Sequence, residues 1–474
     1  MKTQKTGQII SYLLPIMGTI IYLSLIFNNN VWLDEAFTAS LVRTDMAGVI
    51  QRSMADTLPP LYNIILKIMT DIFGYTIPVM KIVSITPIIL TMVLSATVIK
   101  RRHGVIVSSL FTLCLMSMPM LLFYGVEIRM YSLGFYFATA SGIFSYECLK
   151  DSSKKNWIIF TIFSVLAGYS HHFAFVTVGF VYLYMLIFYI VADRENIKRW
   201  FLCLFATFIL YFPCLIVTLK QFKSVSGYFS MPEITLSVFV KYCRFPYTVG
   251  NPVLSILLSI GVIILAGLSI YNIMKKKNTM LNMYALVCFL ILYGVLVFGT
   301  IISKIMTANI FVDRYLFFSV GLIWLFFSIE INELYSIFKS KESSRYFLLI
   351  PFIFVILCGI IGYIKEYKIE YSESASEEIE FLNENVQDGD ILYTIEDAEE
   401  MAYCLPFYND KLTNIEDLDE AVSLADINNS NLWLTVIDYY DYDFSELSKY
   451  SLTPEYIGDF TFDRYTFSLY KLIK

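Results

Sequence analysis

The feature that most constrains this chain is a series of long apolar runs repeated along its first three quarters. Each approaches the roughly 20 residues that carry a helix across about 30 Å of hydrocarbon. The runs predict membrane spans at 9–27, 77–99, 105–123, 130–149, 156–170, 172–191, 200–219, 253–274, 280–302, 312–330 and 346–364, eleven in all. The stretch 156–191 is divided in two because, at 1.5 Å per residue, it would be about 54 Å long. The polar break Gly168-Tyr169-Ser170-His171-His172 supplies the turn. Composition agrees: 57% of residues are hydrophobic and 16% charged, whereas soluble domains are about a quarter charged. A soluble fold is excluded. The first run is read as a retained span, since Asn28-Asn29-Asn30 offers no small-x-small cleavage site.

The net charge of −6 conceals a division. From Lys365 to the end there are 26 acidic and 7 basic residues, a balance of −19; the remainder has 15 acidic and 28 basic, a balance of +13. A basic membrane part, 1–366, and an acidic domain, 367–474, are therefore expected in different solvents. Basic residues cluster in alternate loops: Lys100-Arg101-Arg102, Lys154-Lys155, Arg194/Lys198/Arg199, Lys275-Lys276-Lys277 and Lys339/Lys341/Arg345. The positive-inside rule puts these loops and the N-terminus in the cytoplasm. The loops 28–76, 220–252 and 303–313, and the acidic domain, are then expected outside. Within 28–76, Leu61 to Phe73 reads as an amphipathic helix lying in the interface. The last hundred residues read as a small α/β domain: helix 376–386, strand 390–395, helix 418–427, strand 432–437, and a hairpin of 460–462 with 465–472 turning at Asp463-Arg464.

Five motifs fall at the outer ends of the spans. Val31-Trp32-Leu33-Asp34-Glu35 sets two adjacent carboxylates beside an indole at the membrane surface, a costly arrangement without partners or a task. Consecutive helical side chains diverge by about 100°, so the pair suits a division of labour, one as general base and the other holding a metal, an acceptor or a cation. The alternative is a solvated loop start with Trp32 in the aromatic belt. Glu127-Ile128-Arg129-Met130-Tyr131-Ser132 offers an arginine suited to bidentate phosphate contact, or to a pair with Glu127. Tyr169-Ser170-His171-His172-Phe173 holds two of the chain's three histidines, and a metal there needs carboxylates from elsewhere. Asp56 precedes Pro59-Pro60-Leu61-Tyr62, where the prolines fix an extended entry to the interfacial helix. Asp313-Arg314-Tyr315 supplies a second arginine, for phosphate or for Asp313. Tyr228, Phe229, Tyr242 and Tyr247 suit either sugar stacking or interfacial anchoring. There is no Walker sequence and no G-x-G-x-x-G, so a nucleotide-driven pump and a nucleotide-sugar transferase have no support.

Taken in order, these motifs resemble those of the bacterial protein O-mannosyltransferase-like and aminoarabinose-transferase-like polytopic glycosyltransferases, the GT-C type that uses polyprenyl-phosphate sugars. The resemblance covers the membrane part throughout and, more loosely, the C-terminal domain. It departs at Leu58, where the family's Asp-x-His-Pro-Pro-Leu-Tyr segment carries histidine. What it implies is transfer of a sugar from a lipid-phosphate donor to a hydroxyl of a glycan, lipid or protein on the outer face of a bacterial cell membrane. Asp34 and Glu35 would be catalytic, with Asp34 as base. Arg129 and Arg314 would bind the donor phosphate, and Asp56, Tyr62, Tyr131 and His171 would position substrate. A divalent metal stays open, with Glu35, His171 and His172 as its candidate ligands. The rival readings are a transporter or flippase of lipid-linked saccharides and a polysaccharide polymerase.

Overall fold

The computed structural model describes residues 2–28, 30–228, 233–306, 309–338, 344–371, 374–394, 409, 411–415, 417–437, 442–462 and 465–474. Every expected span is helical. Among the described residues seven helices are long and apolar enough to cross a membrane alone, and Val105–Ser117 with Pro119–Val126, bent by 62° at the Met118-Pro119 junction, makes an eighth. Pro119 cannot donate into the preceding helix, which is why the path breaks there.

The count of eleven is thus met as helices but not as eleven independently lipid-compatible spans. Tyr131–Lys150 buries all its residues except Tyr136, Leu149 and Lys150. A helix surrounded by protein has no need of lipid-like side chains, so serine, threonine and glycine occupy its surface. It packs closely on Phe317–Phe338: a Cβ on Gly142 would lie 2.3 Å from Leu322, and one on Gly321 would lie 2.1 Å from Thr139. Lys154–Ser170 has 17 residues, and the apolar part of Lys2–Leu23 begins at Gln8.

Between the first two spans lie three short helices, Leu33–Leu41, Met46–Ala55 and Leu61–Phe73. The last has the predicted bounds. It buries Tyr62, Asn63, Leu66 and Thr70 and exposes Ile68, Ile72 and Phe73, the two-faced pattern of an interfacial helix. Tyr242 and Tyr247 are buried, with the Tyr247 hydroxyl 3.1 Å from that of Tyr293. Neither offers a face for sugar stacking or for the interface. Phe229 lies outside the described residues.

The C-terminal unit is a five-stranded sheet. Its strands are β1 (Ile391–Thr394), β2 (Thr413–Ile415), β3 (Leu432–Ile437), β4 (Thr453–Phe462) and β5 (Tyr465–Ile473), ordered β2-β1-β3-β5-β4. β1 pairs in parallel with β2 and β3, while β5 runs antiparallel to β3 and β4. Helices Ser374–Asn385 and Leu418–Asn428 match the expected positions; β2 was not foreseen, and Asp463-Arg464 lies outside the described residues. Buried Asp390 ties the sheet edge together, accepting from Trp433 Nε1 at 3.0 Å and from the Asn431 and Gln387 amides.

Candidate active site

The Asp34 carboxylate is held where three chain segments meet. Residue 34 lies in the first turn of Leu33–Leu41, where the partial positive charge of a helix N-terminus favours an anion. Arg314, at the entry to Phe317–Phe338, brings Nη1 to 3.2 Å from Asp34 Oδ2. Arg129, in the turn between Pro119–Val126 and Tyr131–Lys150, brings Nη2 to 3.9 Å from the same oxygen. Arg129 is fixed from behind: Nη1 donates to Thr38 Oγ1 at 2.8 Å and to the Asp34 carbonyl at 3.2 Å. The Nε atoms of both arginines are buried without a hydrogen-bond partner among the described residues. Two cations thus converge on one carboxylate while part of their donor capacity is unused.

Glu35 points away from this cluster, as the helical turn between neighbours requires. It is 3% exposed. Its carboxylate accepts from the Ile128 N–H at 2.7 Å and the Trp32 N–H at 3.2 Å. Burial pushes its pKa up to about 7, with the Lys81 charge pulling it down and that of Glu370 pushing it up. Glu35 therefore locks the turn carrying Arg129 to the helix carrying Asp34.

The remaining predicted residues divide into two groups. Asp56 and Tyr131 lie within electrostatic reach of Arg129, as Asp34 does. Burial raises the Asp56 pKa and the Arg129 charge opposes the rise. His171 is buried within reach of both arginines, and its Nδ1 accepts the Phe173 N–H at 3.0 Å. Tyr62 belongs to the framework: its hydroxyl is 2.7 Å from Ser84 Oγ, anchoring the interfacial helix to the second span. His172 Nε2 is 3.1 Å from the Thr57 carbonyl oxygen, clear of the arginines.

The metal candidates do not form a ligand set. Glu35 uses both oxygens on backbone amides, His171 uses Nδ1 on Phe173, and His172 uses Nε2 on Thr57. Among the described residues no group of three or more His, Cys, Asp or Glu could hold an ion.

Beside this cluster opens an apolar cavity of about 280 Å³. Tyr315 and His171 form the wall nearest the arginines; Leu58, Phe175, Phe298 and Ile302 are among the residues lining the rest. Leu58 thus occupies the wall of an apolar chamber, where the resembling family would place an imidazole.

Sequence reasoning missed a second cluster. Lys81, inside the second span and 1% exposed, ion-pairs with Glu370 at the end of the last span, Ser344–Glu370, and its ammonium also reaches Asn28 Oδ1 at 3.4 Å. Asn30 Nδ2 donates to the Ile369 carbonyl at 2.8 Å, and the Tyr371 hydroxyl donates to the Ser24 carbonyl oxygen at 2.8 Å. These contacts stitch the segment leading into Asp34 to the stalk of the C-terminal unit. A charge inside an apolar run was the available signal.

No family model and no curated protein matches the sequence. Solved structures do match its fold. ArnT from Cupriavidus metallidurans in the apo state is 11% identical with a TM-score of 0.63, covering 97% of both chains. The same protein bound to undecaprenyl phosphate is 10% identical with a TM-score of 0.62 over the same shares. The Archaeoglobus fulgidus oligosaccharyltransferase, in complex with Zn and sulfate, is 11% identical with a TM-score of 0.50, over 89% of this chain and 67% of the other. The chain therefore has the fold of the ArnT structure, from its first span through its C-terminal sheet.

Proposed function

We propose that this chain is a membrane glycosyltransferase that moves a sugar from a polyprenyl-phosphate donor to an acceptor hydroxyl. The observation that carries the reading is the Asp34 carboxylate clamped between Arg314 and Arg129 beside an apolar cavity. A lipid-phosphate substrate demands that combination of cations and apolar wall. The fold match to an ArnT structure bound to undecaprenyl phosphate supports the same donor class.

In this reading the donor phosphate draws the two guanidiniums, whose Nε atoms lack partners among the described residues, away from Asp34. The released carboxylate takes the proton of the acceptor hydroxyl. The acceptor oxygen attacks the anomeric carbon, the carbon–oxygen bond to phosphate breaks, and the configuration inverts. The polyprenyl phosphate leaves with increased negative charge, which Arg314 and Arg129 stabilise. Asp56, Tyr131 and His171 face the sugar or acceptor, and Glu35 keeps the Arg129 turn in register. No step is routed through a metal: among the described residues no group of three or more His, Cys, Asp or Glu could hold an ion.

The basic loop clusters put the Asp34 end of the bundle on the outer face of the cytoplasmic membrane. That face offers lipid-linked sugars and cell-envelope hydroxyls but no nucleotide sugar. A transporter would use an intramembrane charge along its path; here Lys81 is committed to Glu370.

The test offers a panel of polyprenyl-phosphate sugars to the full chain in nanodiscs and follows release of polyprenyl phosphate. Consumption of one donor with transfer to a hydroxyl is expected. Movement of intact donor between leaflets, with no cleavage, would replace this reading by the flippase.

A further inference from the structure

Three helices that start near the Asp34 cluster finish together at the opposite end of the bundle. The span that starts at Ile77 runs to His103, Tyr131–Lys150 runs to Lys150, and the helix that starts at Phe317 passes Asn332. With 20 residues in the second of these, the two ends are about 30 Å apart. Between the three helix ends lies a separate cavity of about 320 Å³, lined by Arg102, His103, Tyr146, Lys150 and Asn332 over an apolar floor that includes Leu281.

The polar lining is donor-rich. The Lys150 ammonium makes no ion pair among the described residues and lies 5.6 Å from the Tyr146 ring. The His103 ring packs on the other side, 5.0 Å from Tyr146. Of the neighbouring acids, Glu147 is neutralised by two arginines, while Glu333 and Asp151 are hydrogen-bonded by amides. Glu147 accepts from Arg102 Nε at 2.6 Å and Nη2 at 2.7 Å and from Arg101 Nη2 at 3.2 Å. Glu333 accepts from Asn278 at 2.9 Å, and Asp151 sits against Asn156. Exposed Lys154, Lys155 and Lys275 to Lys277 lie on the loops of the same end, so the field there draws anions. A neutralised carboxylate behind, a free ammonium at the mouth, hydroxyl and amide groups between and an apolar floor suit one ligand chemistry: a phosphate group on an apolar or glycerol stem.

We propose that the Arg102–Lys150–Asn332 cavity is a second binding site, for a phosphate-bearing headgroup, at the end of the bundle away from the Asp34 cluster. The helix ends that form it lie at membrane-surface depth, where basic pockets between spans meet anionic lipid.

The test is thermal unfolding of the full chain in detergent, titrated with dioctanoyl phosphatidylglycerol, with dioctanoyl phosphatidylcholine and with inorganic phosphate. Wild type is compared with Lys150→Ala, Asn332→Leu and Lys449→Ala. Saturable stabilisation by phosphatidylglycerol is expected, with the concentration for half effect raised about tenfold by Lys150→Ala, the size of one lost charge-assisted bond. Lys449→Ala, an exposed lysine of the C-terminal unit, should titrate like wild type. Stabilisation by phosphatidylglycerol alone identifies a lipid headgroup; stabilisation by inorganic phosphate identifies a small phosphate ligand. No stabilisation by either, or stabilisation that Lys150→Ala and Asn332→Leu leave unchanged, overturns the proposal. The assay reads binding, so its outcome is independent of whether sugar transfer is found.

Discussion

Arg314 Nη1 lies 3.2 Å from Asp34 Oδ2, joining residues 280 positions apart. This pair closes the membrane bundle at the end where Arg129 also arrives, and it sets the resting state of the proposed base. Paired, the carboxylate is held in place but occupied; a phosphate entering beside it competes for the same guanidinium. The arrangement couples donor arrival to release of the base.

Removing either arginine should separate binding from framework. Arg314→Ala should lower kcat by about 10²–10³ fold, the usual loss for one donor to a developing charge, with little change in Tm. Arg129→Ala should lower both, because it also strands the Thr38 and Asp34 groups that Arg129 holds. Lysine should not restore Arg314, since a point charge cannot reproduce the planar fork. Steady-state kinetics over a range of donor concentrations, with unfolding curves alongside, checks all three variants. Equal kinetics in Arg314→Ala and wild type would remove the phosphate role.

Glu35 should give the fold a pH dependence of defined sign. Burial pushes its pKa up to about 7 from the ordinary 4.5. The folded chain therefore keeps a proton that the unfolded chain releases between those values. This contribution to stability is full below about pH 4.5 and is lost as pH rises through about 7. Glu35→Gln carries no such proton. The Tm of wild type relative to that of Glu35→Gln should fall between about pH 5 and about pH 8.5, measured in one detergent at constant ionic strength. A gap that is flat or widens with pH would contradict the assignment.

Lys81 and Glu370 should behave as a buried pair. Breaking it with Lys81→Met leaves a carboxylate without its cation, at a cost of about 3–5 kcal/mol. Replacing both, as Lys81→Met with Glu370→Gln, should recover a large part of that loss. A double-mutant cycle of unfolding free energies measures the coupling; additive losses would mean that the stalk is not clamped through this contact.

Much of this was legible in the apolar runs and the ordered motifs. Helix positions follow from where apolar side chains recur, and Leu61–Phe73 was readable because an amphipathic run of 13 residues spans only about 20 Å. Asp34, Arg129 and Arg314 were readable because charged groups beside apolar runs need a reason. Their mutual contact was not, since no local rule relates positions so far apart. Tyr131–Lys150 has the length of an ordinary span, and the serine, threonine and glycine along it were the signal that it faces protein. Tyr62 looked like a substrate contact; its partner Ser84 lies on another helix. Lys81 was visible but lay inside a span taken as uniformly apolar, and only the folded chain shows Glu370 beside it.

The most direct measurement compares wild type with Asp34→Asn for release of polyprenyl phosphate from the preferred donor, with donor binding measured on the same samples. Asparagine keeps an oxygen for Arg314 and removes the proton acceptor. Donor binding within a few fold of wild type and release lowered to background is the predicted result. Release at the wild-type rate from Asp34→Asn would contradict Asp34 as the base.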